Sequence, residues 1–371
     1  MKKFLVALFL TVALCLSFVA CAKEETLVLH FVVDGERYQD NVYYEAGDVR
    51  DPVHEPEKEG YTFNGWYYDK GAWEHIFSPT VFNREFQAGE YTLHARFEPF
   101  AFTLNEDKVS YTLTEVFDTA VGDVVIPSRY LDKPVTAIAT GAFSGRANIT
   151  SVTIPDSVIS IGADAFSNCD GLTRISLPSG VKAIGGRAFA DCDKLSYASI
   201  GSVVTSVAPS AFENCVALEE VVLPRSVKRI EEKAFKGCAA LSKITVSALT
   251  ESIGDSAFEN CTSLGAVSLS KRITRIGAFA FRGASHAKIT LADTEAFVNI
   301  GESAFASVHS VSFGKGVAFI GKGAFAGVSD EIRFNGTQSE LEAIVALPQN
   351  NAWSEGCTHN IICSDGELSV H

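Results

Sequence analysis

The chain has 371 residues, of which 47% are hydrophobic and 20% charged, enough for two or three domains with their own cores. Its 45 acidic and 31 basic residues give a net charge of −14, which argues against nucleic acid and an anionic membrane surface as partners. The 26 Phe, 10 Tyr and 3 Trp exclude a disordered chain.

The first twenty residues have the pattern of an export signal. Lys2 and Lys3 precede an uncharged apolar run over residues 4–20, and the chain becomes charged directly afterwards. This pattern predicts a secretory signal peptide over residues 1–20, followed by a short linker over residues 21–25.

The end of this segment, F-V-A-C at residues 18–21, resembles the lipobox of bacterial lipoproteins. The resemblance implies that Cys21 is lipidated and that a lipid anchor holds the protein outside the cytoplasm, at the bacterial cell surface or envelope. Two alternatives stay open. Ala20 and Ala22 also fit ordinary cleavage, which would release a soluble protein, and an uncleaved run of seventeen residues is the lower limit for a membrane span.

Residues 26–98 are rich in β-branched and aromatic residues separated by Gly and Asp turn signals, which predicts a small β domain. The string G-Y-T-F-N-G-W-Y-Y-D at residues 60–69, with Y-T-L-H-A-R-F at 91–97, resembles the Listeria–Bacteroides repeat. That family is a β-grasp module of bacterial surface proteins, so the resemblance implies a β-grasp domain over 26–98. Its 14 acidic and 6 basic residues indicate a solvated spacer surface.

The aromatic residues of this domain allow two interpretations. Tyr67, Tyr68 and Trp73 could form a platform on which a sugar stacks. Alternatively, Phe63 and Trp66 fill the core and the neighbouring aromatic residues cover the rim of a domain too small to bury them, which is the interpretation we favour.

The dipeptide Ala-Phe recurs along the second half of the chain at nearly constant intervals. Its Phe residues stand at 143, 166, 189, 212, 235, 258, 281, 305 and 325, with six intervals of 23 residues followed by 24 and 20. Each copy has the register V-x-x-I-x-x-x-A-F-x-x-C-x-x-L-x-x-I-x-L-P. A fixed period of this length predicts a solenoid of stacked coils over residues 135–335.

One copy shows how a coil should fold. Ile175 and Leu177 are two residues apart and so lie on one face of a short strand, which Pro178 ends. Ala165 and Phe166 are expected in a short helix or 3₁₀ turn opposite, with the Phe ring pointing inward. The predicted fold is therefore an α/β solenoid in which stacking buries the apolar edge of each coil.

The register resembles the BspA type of bacterial leucine-rich repeat, found in surface proteins. By the same resemblance, residues 99–134 are the N-terminal capping coil and residues 336–371 the C-terminal cap. The family implies adhesion, or binding to a host or neighbouring-cell surface protein or a polysaccharide.

Cysteine recurs at one position of the register, so stacking should align five thiols in a column: Cys169, Cys192, Cys215, Cys238 and Cys261. A disulfide chain or a metal thread is conceivable, but parallel side chains and an odd number of thiols favour structural free thiols. Cys357 and Cys363 lie outside the repeat in an exported protein, and we expect a disulfide between them.

We find no catalytic constellation, cofactor motif or metal-ligand spacing, and predict that the protein is not an enzyme. The segment G-V-A-F-I-G-K-G at residues 316–323 nearly spells a phosphate-binding loop, but it lacks the Ser or Thr that holds Mg²⁺ and keeps the ordinary repeat register.

The outward strand positions are the remaining candidate for function, with Arg174, Tyr197, Glu220 and Lys243 in one row. They are either a solvated face with favourable cross-strand charge pairs or a contact strip for a macromolecule. A structural spacer or envelope scaffold without its own ligand is the alternative function. A solute-capturing lipoprotein would need a concave pocket, which a flat row does not supply.

Overall fold

The computed structural model describes residues 27–43, 55–68, 76–77, 89–294, 297–350 and 352–370. The chain divides into two compact units, residues 1–98 and 99–371. The signal peptide, Cys21 and Trp73 lie outside the described residues. No helix in the described part is long and apolar enough to cross a membrane.

The first unit contains a four-stranded mixed sheet. Its strands are β1 (Leu27–Val33), β2 (Glu36–Tyr43), β3 (Thr62–Tyr67) and β4 (Gly89–Glu98), in the order β2-β1-β4-β3. β1 and β4 are parallel at the centre, and the two outer pairings are antiparallel. The assignment of this unit to the Listeria–Bacteroides repeat stays a prediction.

The core of this sheet is aromatic and apolar. The ring centroid of Phe31 lies 4.9 Å from that of Trp66, and Leu29 and Leu93 are fully buried beside them. Tyr67 is 4% exposed. Trp66 is buried as the core interpretation expected, whereas Phe63 is half-buried. Tyr67, expected at the rim, is also buried, which removes it from any sugar platform.

The second unit begins with a hairpin of β5 (Phe100–Leu104) and β6 (Tyr111–Val116). Strand β6 pairs in parallel with the first back strand of the coils. From there each coil contributes up to two short parallel strands. We call the strand before the L-P position the front strand and the strand at the V-x-x-I position the back strand.

The front strands form two six-stranded sheets. The N-terminal front sheet contains β7 (Gly122–Val125), β10 (Ile149–Thr153), β12 (Arg174–Ser176), β14 (Tyr197–Ser199), β16 (Glu220–Val222) and β18 (Lys243–Ile244). The C-terminal front sheet contains β20 (Ala266–Leu269), β22 (Lys288–Leu291), β24 (Ser310–Phe313), β26 (Glu331–Phe334), β27 (Ile361–Cys363) and β28 (Gly366–Leu368).

The back strands form two further sheets. The N-terminal back sheet joins β5 and β6 to β9 (Lys133–Ile138), β11 (Ser160–Ile161) and β13 (Ala183–Ile184), with β8 (Arg129–Tyr130) against β9. The C-terminal back sheet contains β15 (Ser206–Val207), β17 (Arg229–Ile230), β19 (Ser252–Ile253), β21 (Arg275–Ile276), β23 (Val298–Ile300) and β25 (Val317–Ile320). Strand pairing is interrupted between β13 and β15 and between β18 and β20.

The prediction of a helix or 3₁₀ turn in each coil is wrong. The repeats have tight turns around the Ala-Phe dipeptide instead. In the coil of Phe166, Asp164 has φ of 52° and Asn168 has φ of 57°. Left-handed residues four positions apart interrupt helical geometry, so a helix cannot form between them. The second strand of each coil was also not anticipated.

In the described part of the second unit, helix occurs only after the repeats. α1 (Gln338–Val345) begins with a capping box, in which Thr337 and Glu340 satisfy each other's backbone amides. A 3₁₀ turn at Pro348–Asn350 follows. Asn350 is fully buried, and its Oδ1 accepts a hydrogen bond from the Ile320 amide at 3.0 Å, so this segment closes the last back strand.

Candidate functional site

The repeated Phe residues form one continuous column, as the register predicts. From Phe143 to Phe325, successive ring centroids are 4.5 to 5.9 Å apart and the planes are within 23° of parallel. Every one of these rings is fully buried. The column fixes each coil on the next, so residues at equal register positions become neighbours on the surface.

The five repeat cysteines are free, buried thiols, which confirms the structural interpretation. Each Sγ donates to the carbonyl of the Phe 26 residues earlier, at 3.0 to 3.1 Å; Cys215, for example, bonds to Phe189. The bond runs between adjacent coils and ends on the carbonyl of the Ala-Phe turn. Burial raises the pKa of Cys215, Cys238 and Cys261 above the ordinary thiol value. The thiols of Cys215, Cys238 and Cys261 are therefore protonated packing groups at neutral pH.

Cys357 and Cys363 carry free thiols in the structure, so the disulfide expected between them is not formed. Cys363 is buried, and Cys357 is half-buried. Burial raises the pKa of Cys357 to about 11. Both therefore pack at the end of the second unit as apolar groups.

The row predicted from the sequence is assembled on the N-terminal front sheet. Arg174 pairs in register with Tyr197, Tyr197 with Glu220, and Glu220 with Lys243. The guanidinium carbon of Arg174 lies 4.3 Å from the centre of the Tyr197 ring, a cation–π contact. Arg174 and Lys243 are exposed, whereas Tyr197 and Glu220 are half-buried. We call these four residues the front strip.

Two details of the front strip differ from the expectation. Glu220 and Lys243 are neighbours, but no ion pair joins their side chains among the contacts of the described residues. The row also ends at Lys243, because pairing stops between β18 and β20, so Ala266 begins a separate sheet. Strand pairing therefore does not extend the row to Ala266 and Lys288.

Asp123 extends the row at its other end and was missed. It pairs in register with Ser151, whose hydroxyl donates to Oδ1 of Asp123 at 2.7 Å, and Thr150 donates to the same oxygen at 3.1 Å. These two bonds lower the pKa of Asp123. The segment V-V-I-P at residues 124–127 matches the strand end of the repeat and was the available signal.

The structure offers no centre for metal or phosphate chemistry in the part of the chain that it describes. No group of three or more His, Cys, Asp or Glu side chains is arranged to hold a metal ion there. The loop-like segment 316–323 contains strand β25, whose pairing with β23 makes it an ordinary coil.

Several solved structures resemble the chain. A leucine-rich repeat protein of T. pallidum is 27% identical, with 62% of this chain and 86% of that chain covered and a TM-score of 0.42. A leucine-rich cell surface protein of Faecalibacterium prausnitzii is 24% identical, with 66% and 95% covered and a TM-score of 0.32. The pneumococcal vaccine antigen PcpA is 16% identical, with 66% and 68% covered and a TM-score of 0.41.

No curated protein matches the chain. The family model described as the BspA type leucine-rich repeat region matches in six copies, over residues 136–264 and 228–346. These residues make up more than half of the sequence and coincide with the stacked coils. The chain therefore belongs to the BspA-type leucine-rich repeat family.

Proposed function

We propose that this protein is a lipid-anchored bacterial surface protein that binds a macromolecular partner through the outward face of its N-terminal front sheet. The partner is a host or neighbouring-cell surface protein or a polysaccharide, and no catalysis or cofactor is involved. The observation that carries the proposal is the Arg174–Tyr197 stack on a rigid row of parallel strands.

The chemistry of the front strip suits contact with another macromolecule. Tyr and Arg are the side chains that most often dominate binding energy, and stacking holds both in place before a partner arrives. Val222 is 42% exposed beside the strip and adds apolar area, and Ser176 and Ser199 supply hydroxyls in the same row as Val222. Because several coils contribute, affinity should be distributed over the face.

The location rests on the leader sequence. The apolar run over residues 4–20 and Cys21 support export and lipidation, and the acidic residues 26–98 support a spacer between envelope and solenoid. Anchoring at one end would leave the stacked coils accessible to partners outside the cell.

The test is an unbiased pull-down from host matrix, serum, neighbouring cells and a glycan panel. The purified protein is compared with a variant lacking residues 158–226, three whole coils of 23 residues, so that Ser157 is followed by Val227 in unchanged register. We expect the variant to fold, judged by circular dichroism and a cooperative melt, and to lose the captured partner.

Single substitutions separate a distributed face from a single anchor. Y197S should weaken binding by about tenfold, the typical effect of one interface aromatic residue, and F297S, at a site 81% exposed elsewhere, should leave it unchanged. Complete loss of affinity in Y197S would contradict distributed contact. Capture of nothing from any source would support the alternative of a structural spacer.

A further inference from the structure

The charge of the second unit is unevenly distributed. Residues 225–275 contain nine basic and five acidic side chains, a net charge of +4 in a chain whose total is −14. A local positive region on an acidic protein attracts anions to that place while the rest of the molecule repels them. The region is therefore where an anionic partner would be directed.

Two coils of this region carry basic residues at the same turn position. The hydroxyl of Ser247 donates to the carbonyl of Arg225 at 2.7 Å, and the hydroxyl of Ser270 donates to the carbonyl of Ala248 at 2.8 Å. These equal bonds between successive coils place Arg225, Ala248 and Lys271 at equivalent positions. A small side chain thus separates two cations along the stack.

The adjacent back strands repeat the same alternation. Arg229 of β17 and Arg275 of β21 both pair in register with Ser252 of β19. Neighbouring strands lie ~4.8 Å apart, so equivalent cations recur about every 10 Å along the solenoid. The coil between them presents only small side chains at these two positions.

Most of this charge is uncompensated. Arg229 is bonded to Glu231 at 2.9 Å and Arg275 to Asp255 at 2.7 Å. Five exposed cations between residues 225 and 275 have neither an ion pair nor a side-chain hydrogen bond among the described contacts. One of them, Lys243, belongs to the front strip. The other four are Arg225, Lys228, Lys271 and Arg272, which we call the basic ladder.

The carboxylates nearby leave the basic ladder positive. Of the five acidic residues between 225 and 275, Glu251 alone lies outside an ion pair among the described contacts, and it is half-buried. In the preceding coil, the turn and back strand over residues 200–207 are uncharged. In the following coil, the register places the exposed Asp293 at the position of Lys271. The four cations of the basic ladder thus have two carboxylates nearby and keep a net positive charge.

We propose that the basic ladder binds a linear acidic polysaccharide, a polymer whose sulfate or carboxylate groups recur along its length. Cations at a repeated spacing along one line match such a polymer better than a compact acidic patch. Nucleic acid is disfavoured, since no outward back-strand position of coils 202–276 is aromatic and bases would have nothing to stack on. The basic ladder lies in the turns between front and back strands and shares no residue with the front strip, so substitutions that test it leave the front strip unchanged.

The experiment measures binding of the purified protein to heparin over a range of salt concentrations. The test variant is R225A/K228T/K271A, in which each cation takes a residue that a neighbouring coil has at the same position. The matched control, K108N/K194S/K288S, removes three exposed lysines elsewhere that also have no ion pair among the described contacts. Far-UV circular dichroism and melting verify that both variants fold.

We expect heparin binding that weakens steeply with salt, because ion release drives it. The test variant should bind about tenfold more weakly with a shallower salt dependence, and the control should stay within about twofold. Absence of salt-dependent binding, or equal losses in both variants, would overturn the proposal. Equal or tighter binding to duplex DNA or to anionic phospholipid vesicles would also overturn it.

Discussion

Removal of one ring from the Phe column should cost a large share of local stability, and F212A is the sharpest test. Phe212 is fully buried, and its ring centroid lies 5.3 Å from that of Phe189 and 5.5 Å from that of Phe235. Burial of a Phe side chain contributes ~1.5–3 kcal/mol, and each ring contact adds about 0.5–1.5 kcal/mol. With the cavity left behind, we expect a loss of about 4 kcal/mol.

The measurement is urea unfolding combined with hydrogen exchange, since a solenoid can open locally as well as globally. F212L keeps most of the apolar volume and should cost about 1.5 kcal/mol. F297A removes an exposed ring and should leave the free energy of unfolding unchanged. Loss of protection should centre on the coils beside residue 212. An F212A cost below about 1 kcal/mol, or one equal to that of F212L, would refute the stacking argument.

Three further outcomes are expected. In the native protein the five repeat thiols should resist alkylation at neutral pH, because all five are buried away from the reagent. A chain from residue 26 onward, unfolded without reduction, should show seven reactive thiols, and five instead of seven would restore the Cys357–Cys363 disulfide. C21S should release the protein from the membrane fraction and abolish lipid labelling, whereas unchanged labelling would exclude Cys21 as the lipid site. G185A should destabilise the protein by about 2 kcal/mol or more, since a Cβ at Gly185 falls 2.3 Å from the amide nitrogen of Ala163. G186A should be nearly neutral, because the atom nearest to a Cβ at Gly186 is 3.3 Å away. Equal melting temperatures of the two variants would contradict this.

The periodicity of the sequence was sufficient to predict the stack, because a repeat of 23 residues places equal letters beside one another. The Phe column, the free thiols and the register from Arg174 to Lys243 follow from that one fact. The periodicity carries no information on turn geometry, so the helix expectation was wrong. Asn, Asp or Gly, the residue types that tolerate left-handed conformation, recurs at the position of Asn168, and this recurrence was the overlooked signal.

The interruptions of strand pairing could not be predicted, because they depend on small departures from the repeat. Most coils have Gly after the back strand, where a Cβ would meet the preceding coil at under 3.0 Å, as at Gly162 and Gly254. Ala208 occupies that position in the coil where pairing between β13 and β15 is lost, but Glu231 occupies it in the coil of β17, which pairs on both sides. The residue at this position therefore does not by itself predict where pairing stops.

The two interruptions fall at different coils, which has a mechanical consequence. Pairing of the back strands is interrupted between residues 184 and 206, and pairing of the front strands between residues 244 and 266. No two successive coils therefore lack both kinds of strand pairing. At the first gap, the ring of Phe189 still stacks on that of Phe212, and Cys215 still bonds across it. A pulling force on the repeats would therefore meet hydrogen-bonded backbone at every step, and rupture should begin at the outermost coils.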